Sequence, residues 1–477
     1  MKRLPLLLCL FVCLSLTAKP SYDVRADGVY YRLDLQGGKA IVTKGDEPYA
    51  GEVTIPEKID VTQGEFVVTE IDAKAFVGSK TLRSVTYPAS VTTIGENAFQ
   101  GCVSLIQFTI LPSVTFIASG AFEGTGLEAI VIPSTVANIG ENVFRKCNAL
   151  QSADIQNTLI NNAQFTNCTA LTNVTISENV TTIRKKAFTH CSSLREVLIP
   201  QSVTKIEESV FSNCDQLEKA DVRNRTIAED QFVGCKALKL LLMTETLASI
   251  ERKALSGTAL EEFQTPAGLQ IIGDQVFQNC AALKTVQLGE SLTHIGKRAF
   301  SATAIEQIAV PASIKTLGEG LFANCKALQT VELNEMLIAE GEFNGCESLQ
   351  TIVFNVVPEI IAKNAFANCK GLTSLALPEG ISTIENGAFH GCKGLTEISL
   401  PASTSTIGQS AFSGCPLLKN IRCAAEQVPV TAASAFSGIA KEGLHIEVPA
   451  NAVNAYMAAQ GWKQLQPKEG QVFYPIQ

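Results

Sequence analysis

Charge is scarce in this 477-residue chain: Asp, Glu, Lys and Arg make up 18% of it, and Lys and Arg form no block. A nucleic-acid partner needs clustered cations against phosphate and is therefore not expected. Histidine is rarer still, with four residues, and no CxxC pair occurs. Structural zinc needs four converging ligands, usually drawn from such pairs, so no zinc site is expected. No G-x-S-x-G, HExxH, Walker or EF-hand pattern appears. The sequence thus offers no recognised catalytic, nucleotide or calcium motif, and no cofactor is expected. Beyond the first residues, no apolar run could span a bilayer.

The chain starts MKRLPLLLCLFVCLSLTA. Lys2 and Arg3 are a basic start, and Leu4–Leu16 is an apolar run too short for a comfortable bilayer span. That pattern predicts a secretory signal peptide within residues 1–26. Cleavage is expected after Ala18 or Ala26, and Val24-x-Ala26 fits the small-residue rule better. Cys9 and Cys13 raise lipidation as an alternative, but Leu8 and Val12 precede them where a small residue is needed. Losing Lys2 and Arg3 makes the formal net charge of -8 more negative.

What the chain has in abundance is repetition. Leu372, Leu375, Leu377-Pro378, Ile381, Ile384, Ala388-Phe389 and Cys392 recur 23 residues later as Leu395, Ile398, Leu400-Pro401, Ile407, Ala411-Phe412 and Cys415. A period of 20–29 residues is the mark of a leucine-rich repeat solenoid. The marker Phe recurs at 76, 99, 122, 144, 165, 188, 211, 232, 277, 300, 322, 343, 366, 389, 412 and 436, and Leu255 fills the one gap. These 17 positions lie 21 to 24 residues apart. A length that would otherwise read as several globular domains thus reads as one continuous body.

Each unit has a physical reading. Leu-x-x-Val/Ile-x-Leu/Ile is a short strand with alternating buried positions. Pro or a polar residue turns the chain, Val-x-x-Ile crosses the next side, Gly turns it again, and Ala-Phe sits in a helical or 3-10 turn. Parallel pairing of successive strands predicts a body roughly 80 Å long. Three units, entering Phe165, Phe232 and Phe343, are 21 residues long and replace Pro-x-x-Val-x-x-Ile with a shorter polar path. After Phe122, Leu255 and Phe300 the opposite corner is one residue short. These changes are expected to alter local curvature without breaking the stack.

The fold class expected is therefore a repeat solenoid with a parallel β-sheet on one face. Residues 27–71 are assigned to an N-terminal cap and a stretched first repeat, with a hairpin centred on Gln63-Gly64. Residues 72–443 form the array. Residues 444–477 form a C-terminal cap and tail, with a short helix near Tyr456 and Met457.

Twelve of the 15 Cys stand three residues after a marker, among them Cys102, Cys191 and Cys392. Where Cys is missing, Ser79, Thr125, Thr258 or Thr303 takes the slot. Thr cannot crosslink, so the slot reads as selecting a small side chain, with buried thiols packing the coil. Disulfides between adjacent coils are the alternative. Phe99, Phe122, Phe188, Phe211, Phe277, Phe300, Phe366, Phe389 and Phe412 are assigned to the core beside that column. His190 and His390 adjoin the column, but Cys–His chemistry would need an exposed thiolate and an orienting group. They read as surface residues.

The residues flanking the middle apolar position of each strand face outward. Most are small and neutral, with almost no aromatics, which disfavours sugar stacking or polyanion binding. Leu198, Leu240 and Leu242 depart from this. With Glu196, Lys219, Asp221, Glu262 and Gln264 they form the candidate protein-binding face, since exposed apolar patches can mark interfaces.

The full unit, as in Leu82, Val85, Pro88, Val91, Ile94, Gly95, Ala98, Phe99 and Cys102, resembles the BspA-type leucine-rich repeat over roughly Ile55 to Pro449. The opening DGVYYRLDL and closing VPANAVNAYMAAQGW also resemble that family's end segments. The resemblance implies an exported bacterial protein, at the cell surface or secreted, with the periplasm also open. It implies non-enzymatic protein binding, in particular adhesion to host matrix proteins such as fibronectin or fibrinogen, or to other cells. It transfers no ligand residues, because the consensus is made of core positions. The alternatives are an envelope structural or nutrient-capture component, and an enzyme or inhibitor built on a repeat scaffold.

Overall fold

A computed structural model describes residues 22–334, 337–467 and 470–477. Residues Leu4–Leu16 of the expected leader lie outside them. Successive units wind as coils of a parallel β-solenoid, and each coil has three sides. The first side carries the longer strand, such as Glu196–Ile199 or Glu397–Leu400. The second carries a two-residue strand, such as Thr383–Ile384. The third holds Ala-Phe. Both sets of strands pair in parallel with the next coil, for example Glu397↔Asn420 and Thr383↔Thr406.

The third side, where a helical or 3-10 turn was expected, is a run of tight turns. In every coil from Phe76 to Phe412, the residues two before and two after the marker are left-handed. That alternation stops a helix from propagating. Asn and Gly are common there, as at Asn97 (φ 53) and Gly101 (φ 74), because they adopt this conformation at least cost. The turns still bond along the stack: each marker N–H from Phe76 to Phe412 donates to the next coil, as Phe389 does to the Ala411 carbonyl at 2.8 Å. The glycine that follows the second-side Ile in several units, as at Gly95 and Gly140, has a different cause. A Cβ on Gly95 would lie 2.4 Å from the backbone nitrogen of Ala73 in the coil below.

The marker rings form a column inside the solenoid. Phe165 and Phe188 stack at 5.1 Å with planes 3° apart, and Phe389 and Phe412 at 5.4 Å and 5°. Tyr49 covers Phe76 at one end, at 4.4 Å, and Trp462 covers Phe436 at the other, at 5.2 Å. The N-terminal cap is an antiparallel meander of Val24–Ala26, Val29–Asp34 and Lys39–Val42, plus the hairpin Lys58–Val61/Gly64–Ile71 around Gln63-Gly64. The C-terminal cap uses the helix Val453–Ala458, with Tyr456 buried. The tail adds a last strand, Phe473–Pro475, beside His445–Val448.

Every cysteine of the column is free and fully buried. The structure gives the column a role beyond small size. Each thiol donates to the carbonyl of the marker in the preceding coil: Cys102 to Phe76 at 3.1 Å, Cys191 to Phe165 at 3.3 Å, Cys392 to Phe366 at 3.2 Å. Thr125, Thr258 and Thr303 also donate, but to the marker carbonyl of their own coil. The slot takes a small donor.

The length changes leave the aromatic column in place but interrupt the strand ladders, which the sequence reading did not anticipate. Each 21-residue unit breaks the second-side ladder where it enters. The strand that follows it on the first side, Asn173–Ile176, Leu240–Met243 or Thr351–Phe354, is the last of its sheet. Each short corner does the converse. The strand it leads into, Ala129–Ile132, Glu262–Gln264 or Gln307–Val310, is the first of its sheet. A missing residue shifts one side of a coil against the next, and the local hydrogen-bond register is lost.

Candidate protein-binding face

The first side is the broadest exposed surface with a regular chemistry. Glu196, Leu198, Lys219, Asp221, Leu240 and Leu242 fall on one three-stranded sheet, Glu196–Ile199, Lys219–Val222 and Leu240–Met243. In register, Glu196 meets Lys219, which meets Leu240; Leu198 meets Asp221, which meets Leu242. The three leucines are therefore not one patch. Asp221 separates Leu198 from Leu242 and pairs with Arg223 at 2.9 Å. Lys219 pairs with Glu196 at 3.6 Å. Both pairs are solvent-exposed to a degree that makes each worth well under about 1 kcal/mol.

Leu240 and Leu242 belong instead to a cleft. Their strand is the last of its sheet, and Glu262–Gln264 opens the next one. Between them lies a cleft of about 310 Å³, walled by Leu240, Leu242, Leu260, Phe263, Glu262 and Gln264. Leu240 is 47% exposed and Leu242 41%. Phe263 is buried, and its ring sits 4.5 Å from Phe277. It occupies the strand position that most other units give to an aliphatic residue, and that Phe108 fills between the markers Phe99 and Phe122. The sequence reading included Glu262 and Gln264 but missed Phe263, Leu260 and the cleft. The signal was present, because the 21-residue unit entering Phe232 is followed at once by the short corner after Leu255. Clefts at the other short corners, lined by Ile106–Ile110 with Glu128–Val131 and by Lys284–Gln287 with Glu306–Ala309, follow the same rule.

The histidines were the other residues the sequence raised for chemistry. His190 is exposed and left-handed (φ 61), in a turn slot that most other coils give to Gly or Asn. Its neighbour Cys191 is sealed in the core, and burial pushes the thiol up to about 12. A neutral, buried thiol is not a nucleophile. Among the described residues no cluster of His, Cys, Asp and Glu could hold a metal ion. Among them, too, no helix is long and apolar enough to cross a membrane.

Comparison with known proteins agrees with this architecture. The family described as BspA type leucine rich repeat region (6 copies) matches residues 69–162, 158–280, 248–356 and 337–456. No curated protein matches the sequence. A leucine-rich repeat protein from Bacteroides ovatus, solved by crystallography, is 24% identical, with 96% of this chain and 100% of that chain covered and a TM-score of 0.57. A leucine rich cell surface protein from Faecalibacterium prausnitzii is 24% identical over 87% of this chain and 97% of that one, with a TM-score of 0.36. The pneumococcal vaccine antigen PcpA is 18% identical over 92% and 96%, with a TM-score of 0.29.

Proposed function

This chain belongs to the BspA-type leucine-rich repeat family, and from that premise we propose that it is an exported protein that binds other proteins through its first side, at or beyond the cell surface. The observation that carries the reading is the pair Leu240 and Leu242, exposed beside an open cleft on a face of mostly small and polar residues. Buried anchors entering a pocket dominate the energetics of protein recognition, and the surrounding polar residues mainly exclude water. Glu196, Lys219, Asp221, Glu262 and Gln264 are the rim in this reading, and Leu198 is a separate contact. Adhesion to host matrix proteins such as fibronectin or fibrinogen is the specific form we favour, because the family resemblance points to it and the repeat array presents a long surface of small, mostly neutral residues.

Export fits the cap. A cut after Ala26 would remove Val24–Ala26, which pairs with Val29–Tyr31, and Tyr22, whose ring meets Tyr30 edge to face at 4.7 Å. Cleavage after Ala18 keeps both. The test is solid-phase binding of the mature chain to fibronectin and fibrinogen, with a Leu240→Asp/Leu242→Asp variant beside it. Binding by the wild type and loss in the folded variant support the proposal. Equal binding by both, or by neither, removes it.

A further inference from the structure

The coil of Leu255 combines three features that no other coil brings together among the described residues. A 21-residue unit ends one first-side sheet at Leu240–Met243, and a short corner starts the next at Glu262–Gln264, so the ladder is open between them. The aromatic column is interrupted, since Leu255 stands between Phe232 and Phe277. Clefts flank the region on both sides: about 310 Å³ on the first side, and about 660 Å³ on the second, lined by residues including Lys205, Arg225, Thr246 and Gln270.

Two kinds of bond nevertheless cross this coil unbroken. The second-side ladder runs through Thr226–Ile227, Ser249–Ile250, Ile271–Ile272, His294–Ile295 and Thr316–Leu317. On the third side Phe232 N–H donates to Ala254 at 2.8 Å, and Leu255 N–H to Val276 at 3.1 Å. One side of the coil is open while the other two are held. In a solenoid each repeat contacts only its neighbours, so a weakened junction is not compensated from elsewhere. We propose that the solenoid flexes at this coil, about an axis along the second and third sides, and that the motion widens and narrows the cleft between Leu240–Met243 and Glu262–Gln264. The strands on either side move as blocks, as hinge closure requires. This inference rests on the ladder geometry and stands whether or not the cleft binds protein.

Spin-label distance measurements on the full mature chain test it. The native thiols are buried, so introduced surface cysteines take the label. One pair, Lys219→Cys and Thr285→Cys, spans three coil steps across the open junction. A second pair, Ser374→Cys and His445→Cys, spans three steps of a continuous ladder. The first pair is expected to give the broader distance distribution. Leu255→Phe with Phe263→Val, which restores the common pattern, is expected to narrow it toward the second pair. If the restored variant does not fold, the comparison of the two wild-type pairs still decides. A distribution across the junction as narrow as that of the continuous pair overturns the proposal, as does a folded restored variant whose distribution is unchanged.

Discussion

Replacing Cys191 separates two accounts of the cysteine column. If the slot selects only small apolar volume, Ala is the milder substitution, because Ser would bury a hydroxyl at a cost of about 1–3 kcal/mol where it lacks a partner. If the slot selects a small donor, Ser is milder. Cys191→Ala removes one heavy atom's worth of burial, about 0.8 kcal/mol, and leaves a small cavity worth about 0.5 kcal/mol. It also removes the S–H bond to the Phe165 carbonyl, worth about 0.5–1 kcal/mol. The Phe165 carbonyl keeps its bond from Cys168 N–H at 3.1 Å, so no acceptor is orphaned. The expected loss is about 2 kcal/mol for Ala. Cys191→Ser can turn its hydroxyl to the marker carbonyl of its own coil, as Thr125 does to Phe122 at 3.0 Å. Its expected loss is about 1 kcal/mol. Urea unfolding of the two variants, with amide exchange at the neighbouring coils to localise the effect, reads the order directly. Ala milder than Ser would refute the donor account.

Three further outcomes are expected. Phe389→Ala should cost about 3–5 kcal/mol, since the ring is fully buried between Phe366 and Phe412 at 5.6 and 5.4 Å; an unchanged unfolding midpoint would contradict the column's role. Burial raises the folded thiols, Cys147 to about 11 and Cys191 to about 12, from an ordinary 9.0. Above about pH 9 the unfolded chain therefore releases protons that the folded chain keeps, and each such thiol lowers stability by about 1.4 kcal/mol per pH unit until its folded pKa is reached. A melting midpoint that stays flat from pH 8.5 to about 11 would count against neutral thiols in the core. Mass spectrometry of the exported chain should find Tyr22–Ala26 retained, and a mature N-terminus at Asp27 would show that the Val24–Ala26 strand is dispensable.

The fold was largely legible because its core positions recur. Phe at the marker, Cys three residues on, and Leu at the start of each unit are set by the interior of one coil, and repetition exposes them. Less legible was anything that depends on how one coil meets the next. The short unit before Phe232 and the short corner after Leu255 were visible as lengths, but their effect is a lost register between two strands. That effect appears only when Leu240–Met243 and Glu262–Gln264 are set side by side. The same holds for Phe263, which reads as an ordinary inward strand residue until its strand is seen to wall the cleft. The thiol bonds were hidden for a related reason, since Cys191 finds its acceptor, Phe165, 26 residues earlier. Outward residues carry no repeat at all, so Leu198 and Leu242 looked like one patch until Asp221 was found between them.

Photocrosslinking with fibronectin present tests the central claim most directly. A photoreactive residue at Glu262, on the cleft wall, is compared with one at Lys185, which is exposed away from the first side. Crosslinking from Glu262 that is absent from Lys185, and that is lost with Leu240→Asp/Leu242→Asp, is the result expected of a binding face centred on this cleft. Crosslinking from Lys185 alone, or equally from both positions, would contradict it.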